Sequence, residues 1–286
     1  MDAPIRSLEP AQHFEALAEL AEPPSRLWAR GSLPRHPAVA IVGTRRADRD
    51  ALAFTRRLAA ELAEAGAAVI SGGAEGIDAA AHRGALDAGG RTWVVQAAPL
   101  DAPYPRRHRR LFEAVLEADG GWLSETPPGE PAYPSRFLAR NRLVAALADA
   151  VVVVQAPARS GALSTARHAE ALERPLFAVP HAPWDPRGAG GNRLLGSGAR
   201  PCLSARDVVG ALPLRAPPSR PARPARSVPA LPPALRRVHD ALATRPRHAD
   251  ALASELGLPA AEVQVALVQL AAAGLARQEG HGWRAR

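Results

Sequence analysis

From residue 38 onward the apolar positions follow two alternating patterns. Short, continuously apolar runs at 39–42, 68–71, 92–97, 122–124, 151–154 and 176–179 predict strands. Their lack of polar alternation is expected where both faces of a parallel sheet are covered. Between them, helical periodicity predicts helices at 50–65, 78–88, 108–118, 140–148 and 164–172. Such alternation specifies a Rossmann-like, doubly wound, mostly parallel α/β sheet over residues 38–213. Residues 1–37 read as an N-terminal extension packing on that domain, with a helix at 13–21, a Pro-rich turn and the segment Leu27-Trp28-Ala29-Arg30-Gly31.

Residues 214–233 hold seven prolines and four arginines without one acid, and read as an extended linker. Beyond it, 234–286 reads as a small winged-helix domain. Helices are expected at 234–243 and 249–256, Gly257 breaks the chain, Pro259 opens a third helix ending at Gly274, and a two-stranded wing turns at 280–282. The third helix carries Glu262, Gln264 and Gln269 but no basic residue, and its Val263, Leu267 and Leu270 stripe faces inward. That suits protein docking or weak DNA contact better than base readout.

Charge and chemistry narrow the function. Of 286 residues, 36 are basic and 28 acidic, a net charge of +8 that favours an anionic partner. Every basic residue but histidine is arginine, which excludes a phosphate-loop lysine and a Schiff-base lysine. One cysteine, Cys202, permits neither an internal disulfide nor a zinc set, and fits a reducing, cytoplasmic setting. Neither a membrane span nor a signal peptide is expected, nor a cofactor or metal.

In open α/β sheets, ligands sit beyond the carboxyl ends of the strands. After the first parallel strand stands Gly43-Thr44-Arg45-Arg46, a turn that brings two cations to a helix start and suits phosphate. After the second, Ser71-Gly72-Gly73-Ala74-Glu75-Gly76 allows close backbone approach, with Asp78 as a helix-start acid and His82 packed one turn on. Tyr104 precedes Arg106, Arg107, His108, Arg109 and Arg110, which joins a stacking ring to cations. Phe137, Arg140, Asn141 and Arg142 repeat that mixture, with Arg136 and Arg140 on one helical face. The turn at Arg159, Ser160, Gly161 and Thr165 enters a helix and suits an anion.

In order along the chain, AIVGTRR, SGGAEGIDAAAH, Tyr104-Pro105, Leu123-Ser124-Glu125, RFLARNRLVAALA, SGALSTA, FAVP and GNRLL resemble the DNA-processing protein A family (DprA or Smf). The resemblance implies binding of single-stranded DNA without catalysis, the RecA recombinase as partner, a role in natural transformation and a homodimer. It adds Asn192 to the expected site. The chain departs from the family at Glu75, where arginine is usual, and at Gly73, where a bulky aliphatic is usual. It departs again at Leu138 for proline, at Ala97-Ala98-Pro99 for a Gly-containing turn, and at Gln155 for an acid. Glu75 is expected to fill the anion site itself or to pair with Arg45 or Arg46, the alternative being a solvent-exposed side chain that points away from the site. Two other readings use the same pocket: a nucleotide sensor, or a nucleoside-phosphate hydrolase, in which His168 stands where the catalytic glutamate would be needed.

Overall fold

Each face of the parallel sheet has its own helical cover in the computed structural model, which describes residues 3–212, 231–242, 247–273, 275–279 and 282–285. The chain divides into two units, Met1–Pro217 and Pro218–Arg286. The first opens with β1 (Arg6–Leu8) and β2 (Leu27–Gly31), and continues through β3 (Ala38–Val42), α1 (Arg49–Glu64), β4 (Ala68–Ser71), α2 (Ile77–Asp87) and β5 (Thr92–Gln96). Then come α3 (Arg109–Glu117), β6 (Gly121–Ser124), α4 (Pro134–Ala139), α5 (Asn141–Ala146), β7 (Ala150–Val153), α6 (Ala162–Ala171) and β8 (Leu176–Ala178). It closes with α7 (Ala189–Gly196), β9 (Arg200–Pro201) and α8 (Ala205–Val209).

The strand order is β1-β2-β6-β5-β4-β3-β7-β8-β9. All pairings from β6 to β9 are parallel, whereas β2 joins β6, and β1 joins β2, antiparallel. After β3 the chain builds outward through β4, β5 and β6, then returns to place β7 on the other side of β3. The reversal between β3 and β7 is where such sheets open a crevice. Along β3, Ala38, Ala40 and Val42 join a core with Leu143 and Val144 of α5 and Ala166 of α6. Val39 and Ile41 join the opposite core, with Leu58 and Leu62 of α1 and Ile77 and Ala81 of α2. Both sets are buried, which is why the strand runs are apolar without interruption.

Two expectations need correction. The helix at 13–21 is absent: 3-10 turns at Pro10–Gln12 and Glu15–Leu17 stand there instead. Phe14, Leu17 and Leu20 are buried at intervals of three, the period of a 3-10 turn, in which i and i+3 eclipse. The single helix expected to carry Arg136 and Arg140 on one face is broken at Arg140 into α4 and α5, of which α5 is the helix expected at 140–148. β1, β2, β9, α7 and α8 are additional elements. Cys202 is buried, and desolvation pushes its thiol up to about 12, so it stays a neutral core side chain.

The second unit comprises α9 (Pro233–Leu242), α10 (Ala249–Leu256), α11 (Ala260–Ala272), β10 (Ala276–Glu279) and β11 (Gly282–Ala285). β10 and β11 pair antiparallel, and Arg247 adds a bridge to Trp283. Val238, Leu252, Val263, Leu267 and Leu270 form its core. Gly257 takes a left-handed conformation with φ of 63°, ending α10. Most of the expected linker lies outside the described residues, and α9 already begins at Pro233. Among the described residues no single helix is long and apolar enough to cross a membrane.

Candidate nucleic-acid interface

The crevice between β3 and β7 is a cleft of about 360 Å³. Of the residues expected at a site, Gly43, Thr44, Arg45, Arg46, Gly72, Phe137, Arg140, Asn141, Ser160, Gly161 and Thr165 all line it. Tyr104 lines an adjoining small cavity with Arg45, Phe137 and Arg140. Ser71, Gly73, Arg107, Arg142 and Asn192 line neither space.

The turn after β3 is held from below. Thr44 N–H donates to the Gln155 carbonyl at 2.7 Å, and the Thr44 carbonyl accepts from Ile77 N–H at 3.3 Å. A Cβ on Gly43 would lie 2.9 Å from the Gln155 carbonyl and closer still to Ile77, so only glycine lets β3 end this tightly against α2. Thr44 Oγ1 accepts from Arg46 N–H at 3.2 Å, which orders the turn that presents Arg45 and Arg46 to solvent. Neither arginine has a carboxylate partner among the described residues. The Arg45 guanidinium lies 5.5 Å from the Phe137 ring centre, and Tyr104 meets the same ring edge-on at 5.5 Å. Tyr104 itself is 47% exposed. Exposed Arg159, part of the turn read before Ser160-Gly161, also lines the cleft and has no carboxylate partner among the described residues.

Other expected contacts are committed inside the protein. Arg140 is buried; its Nη1 donates to the Gly72 carbonyl at 2.7 Å and to the Val95 carbonyl, and so ties β4 to β5. Desolvation lowers its pKa to about 10, opposed by Asp78. Burial also raises the Asp78 carboxyl against the pull of Arg140 and of Ala74 N–H. The expectation that Arg136 and Arg140 share an outward face therefore fails. Arg136 lies over Tyr133 and pairs with Glu130, while the break at Arg140 turns its side chain inward. Arg142 grips Glu125, with Nη2 to Oε1 at 2.7 Å, and donates to the Glu22 carbonyl at 3.0 Å. Ser71 is buried and donates its hydroxyl to the Ile41 carbonyl at 2.6 Å, so that group belongs to the sheet.

Asn141 is nearly buried and donates to the Gly161 carbonyl at 3.2 Å. Ser160 Oγ accepts from Ala162 N–H at 3.3 Å at the start of α6, whereas Thr165 is buried. Asn192 braces the loop after β8, accepting from His181 N–H at 3.0 Å and donating to the His181 carbonyl at 2.9 Å. Arg187 pins the same loop to Asp48 at 3.0 Å, at the start of α1, and Trp184 stands on it 85% exposed.

Glu75 pairs with Arg107, not with Arg45 or Arg46, which corrects the expected partner. The basic run from 106 to 110 is thereby divided. His108 is buried with Nδ1 3.0 Å from the Gly73 carbonyl, and Arg109 pairs with Glu113 at 2.8 Å. Gly73 has φ of +72°, and a Cβ there would lie 2.6 Å from Val94 and 2.9 Å from the Phe112 ring. This chain fills with Phe112 the space a bulkier residue would need. His82 is wholly buried with Nδ1 2.7 Å from Thr92 Oγ1, and desolvation lowers its pKa to about 3, so it remains neutral.

Fold and cleft together define a Rossmann-like α/β protein with a cation-lined crevice at its switch point and a separate winged-helix unit. Within that class the chain belongs to the DNA recombination-mediator protein A family, whose sequence profile matches residues 7–213, while the DprA winged helix domain profile matches 221–282. A DprA relative from Mycobacterium tuberculosis is 42% identical over 272 residues, 91% of this chain and 68% of that protein. The DNA processing protein DprA of Streptococcus pneumoniae is 36% identical over 195 residues, 68% of each chain. Its X-ray structure superposes with a TM-score of 0.68 at 33% identity, covering 74% of this chain and 75% of that one. A structure of DNA processing protein A from Helicobacter pylori, described for its single-stranded DNA binding mode, has a TM-score of 0.64 at 33% identity over 73% of this chain and 97% of that one.

Proposed function

We propose that this chain is a non-catalytic, cytoplasmic recombination mediator that binds single-stranded DNA along the carboxyl edge of its parallel sheet. The observation that carries the reading is the cleft at the switch point. Arg45, Arg46 and Arg159 are exposed there without acidic partners among the described residues, beside the rings of Phe137 and Tyr104. Cations that track a phosphate backbone beside rings that stack bases are what single-strand binding requires. The single-stranded DNA binding mode described for the Helicobacter pylori relative supports the same assignment. Ser160 and Gly161 add the start of α6 to the anion-binding edge, and Gly43, Thr44 and Gly72 bring backbone close to it. Arg140, Asn141, Arg142, Ser71, Gly73, Thr165 and Asn192 position this edge from within, and Arg107 flanks it. Family resemblance supplies the RecA recombinase as the partner that receives the strand, and a homodimer as the assembly.

In a hydrolase reading the one carboxylate among the described residues that line the cleft, Asp78, is buried and bonded to Ala74 N–H below the turn after β4. His168, where that chemistry needs a carboxylate, has its pKa lowered by desolvation and by Arg142 and Arg167. The test is a salt titration of single-stranded-DNA affinity. Arg45→Ala is expected to weaken binding to every sequence and to reduce the log–log salt slope by about 0.7, one phosphate contact. A folded variant with the wild-type slope would remove Arg45 from the site.

A further inference from the structure

Gln96 ends β5 only 2% exposed, at the wall between two spaces. Its Oε1 accepts the Tyr104 backbone N–H at 3.2 Å. That bond fixes the amide assignment, because a backbone N–H can only donate, so Oε1 is the atom that takes Tyr104 N–H and Nε2 is left as the free donor. Nε2 is buried and has no hydrogen-bond partner among the described residues. Buried donors are almost always satisfied, so an unpaired one at a cleft wall marks a place for an acceptor.

The surroundings define that acceptor. On one side Gln96 borders a cavity of about 10 Å³ shared with Arg45, Tyr104, Phe137 and Arg140. That volume has room for about one oxygen-sized atom. On the other side it borders an open cleft of about 300 Å³. The arrangement joins planar aromatic walls, a neutral amide donor and a slot for a single oxygen.

We propose that Gln96 reads the carbonyl edge of a nucleobase, donating from Nε2 to an exocyclic oxygen while the ring lies against Tyr104. The inference rests on the single-stranded-DNA reading and adds base preference to it. Thymine, cytosine and guanine carry such an oxygen. Adenine carries none and would set its amino group against the Gln96 donor. Cation contacts from Arg45 and Arg46 are blind to the base, so discrimination falls to this amide.

The experiment compares affinities of the full chain for oligo-dT, oligo-dC and oligo-dA of one length. Wild type is measured beside Gln96→Leu, which keeps bulk without a donor, and Gln96→Glu, which keeps the acceptor for Tyr104 N–H. The self-stacking of oligo-dA is the same against all three proteins and cancels between them. Loss of one hydrogen bond is expected to reduce the dT:dA and dC:dA affinity ratios by about 3- to 10-fold in both variants. If Gln96→Leu fails to fold by thermal unfolding, the Gln96→Glu ratio decides alone. Unchanged ratios overturn the proposal, including the case in which all three oligonucleotides weaken together, since that is the mark of a phosphate contact. Failure of the wild type to bind any of the three overturns the single-strand reading itself, and this inference with it.

Discussion

Arginine is the only long cation in this chain, and its copies do opposite work a few residues apart. Arg45 and Arg46 face water with no carboxylate among the described residues to hold them, whereas Arg140 and Arg142 are consumed by carbonyls and by Glu125. The sequence marks all four alike, because a basic residue at a strand end reads the same whether it points outward or inward. What separates them is the break between α4 and α5, which periodicity over so short a stretch does not reveal. Glu75 was legible as an oddity and not as to its partner, since the partner comes from a different strand end. Its pair with Arg107 is largely exposed, and such pairs contribute only about 0–1 kcal/mol to stability. Glu75→Arg is therefore expected to fold normally. It should tighten single-stranded-DNA binding by about 3- to 10-fold at low ionic strength, on the order of 1 kcal/mol of Coulomb energy. The gain should shrink as salt screens it over about 10 Å at 0.1 M. Equal affinities at low salt would make Glu75 a spectator.

At the scale of elements, the strands were readable and their anchors were not. Burial on both faces leaves an unmistakable apolar run, but the joints depend on single polar groups. Asp149 shows the kind of contact that was hidden. It accepts from Ala38 N–H at 2.7 Å and faces His36 Nδ1 at 2.8 Å, fastening the start of β3 to the turn before β7. The hydrogen bond to Asp149 raises the His36 pKa; for Asp149, burial opposes the His36 bond, yet its pKa ends lowered. A histidine raised above its unfolded value of about 6.5 contributes fully below that pH and loses its contribution as pH rises through the folded value. Thermal stability is thus expected to fall modestly from about pH 6.5 upward, and His36→Ala should flatten that slope. A slope identical in wild type and His36→Ala would assign the titration elsewhere. The missed N-terminal turns have a similar physical cause. Phe14, Leu17 and Leu20 mimic a helical stripe, but their spacing of three suits the tighter turn that brings all three into the core.

On the scale of the whole molecule, the proposed binding residues fall unequally on the two units. The cleft residues all precede Leu212, and the exposed face of α11 carries Gln264, Val265, Val268 and Gln269, with no cation to meet phosphate. A chain ending at Leu212 is expected to keep single-stranded-DNA affinity within about tenfold of the full protein, or roughly 1.4 kcal/mol. A larger loss, measured at matched salt, would make the winged-helix unit a principal DNA contact. The order of these units was evident from composition, since a Pro/Arg segment separates two periodic regions. The antiparallel pair β1 and β2 was not, because three- and five-residue strands leave too little pattern to register.

Trp184 has an optical consequence. Of the five tryptophans, Trp93 and Trp122 lie in the core, and Trp28 and Trp283 are partly covered. Trp184 alone stands almost wholly in water, on a loop clamped by Asn192 and Arg187. Its indole should supply the long-wavelength, iodide-quenchable part of the emission, while the core pair glows bluer and stays shielded until the sheet unfolds. One cuvette can therefore distinguish a ligand arriving beside β8 from a protein coming apart: the first silences the red component alone, and the second shifts the blue one to join it.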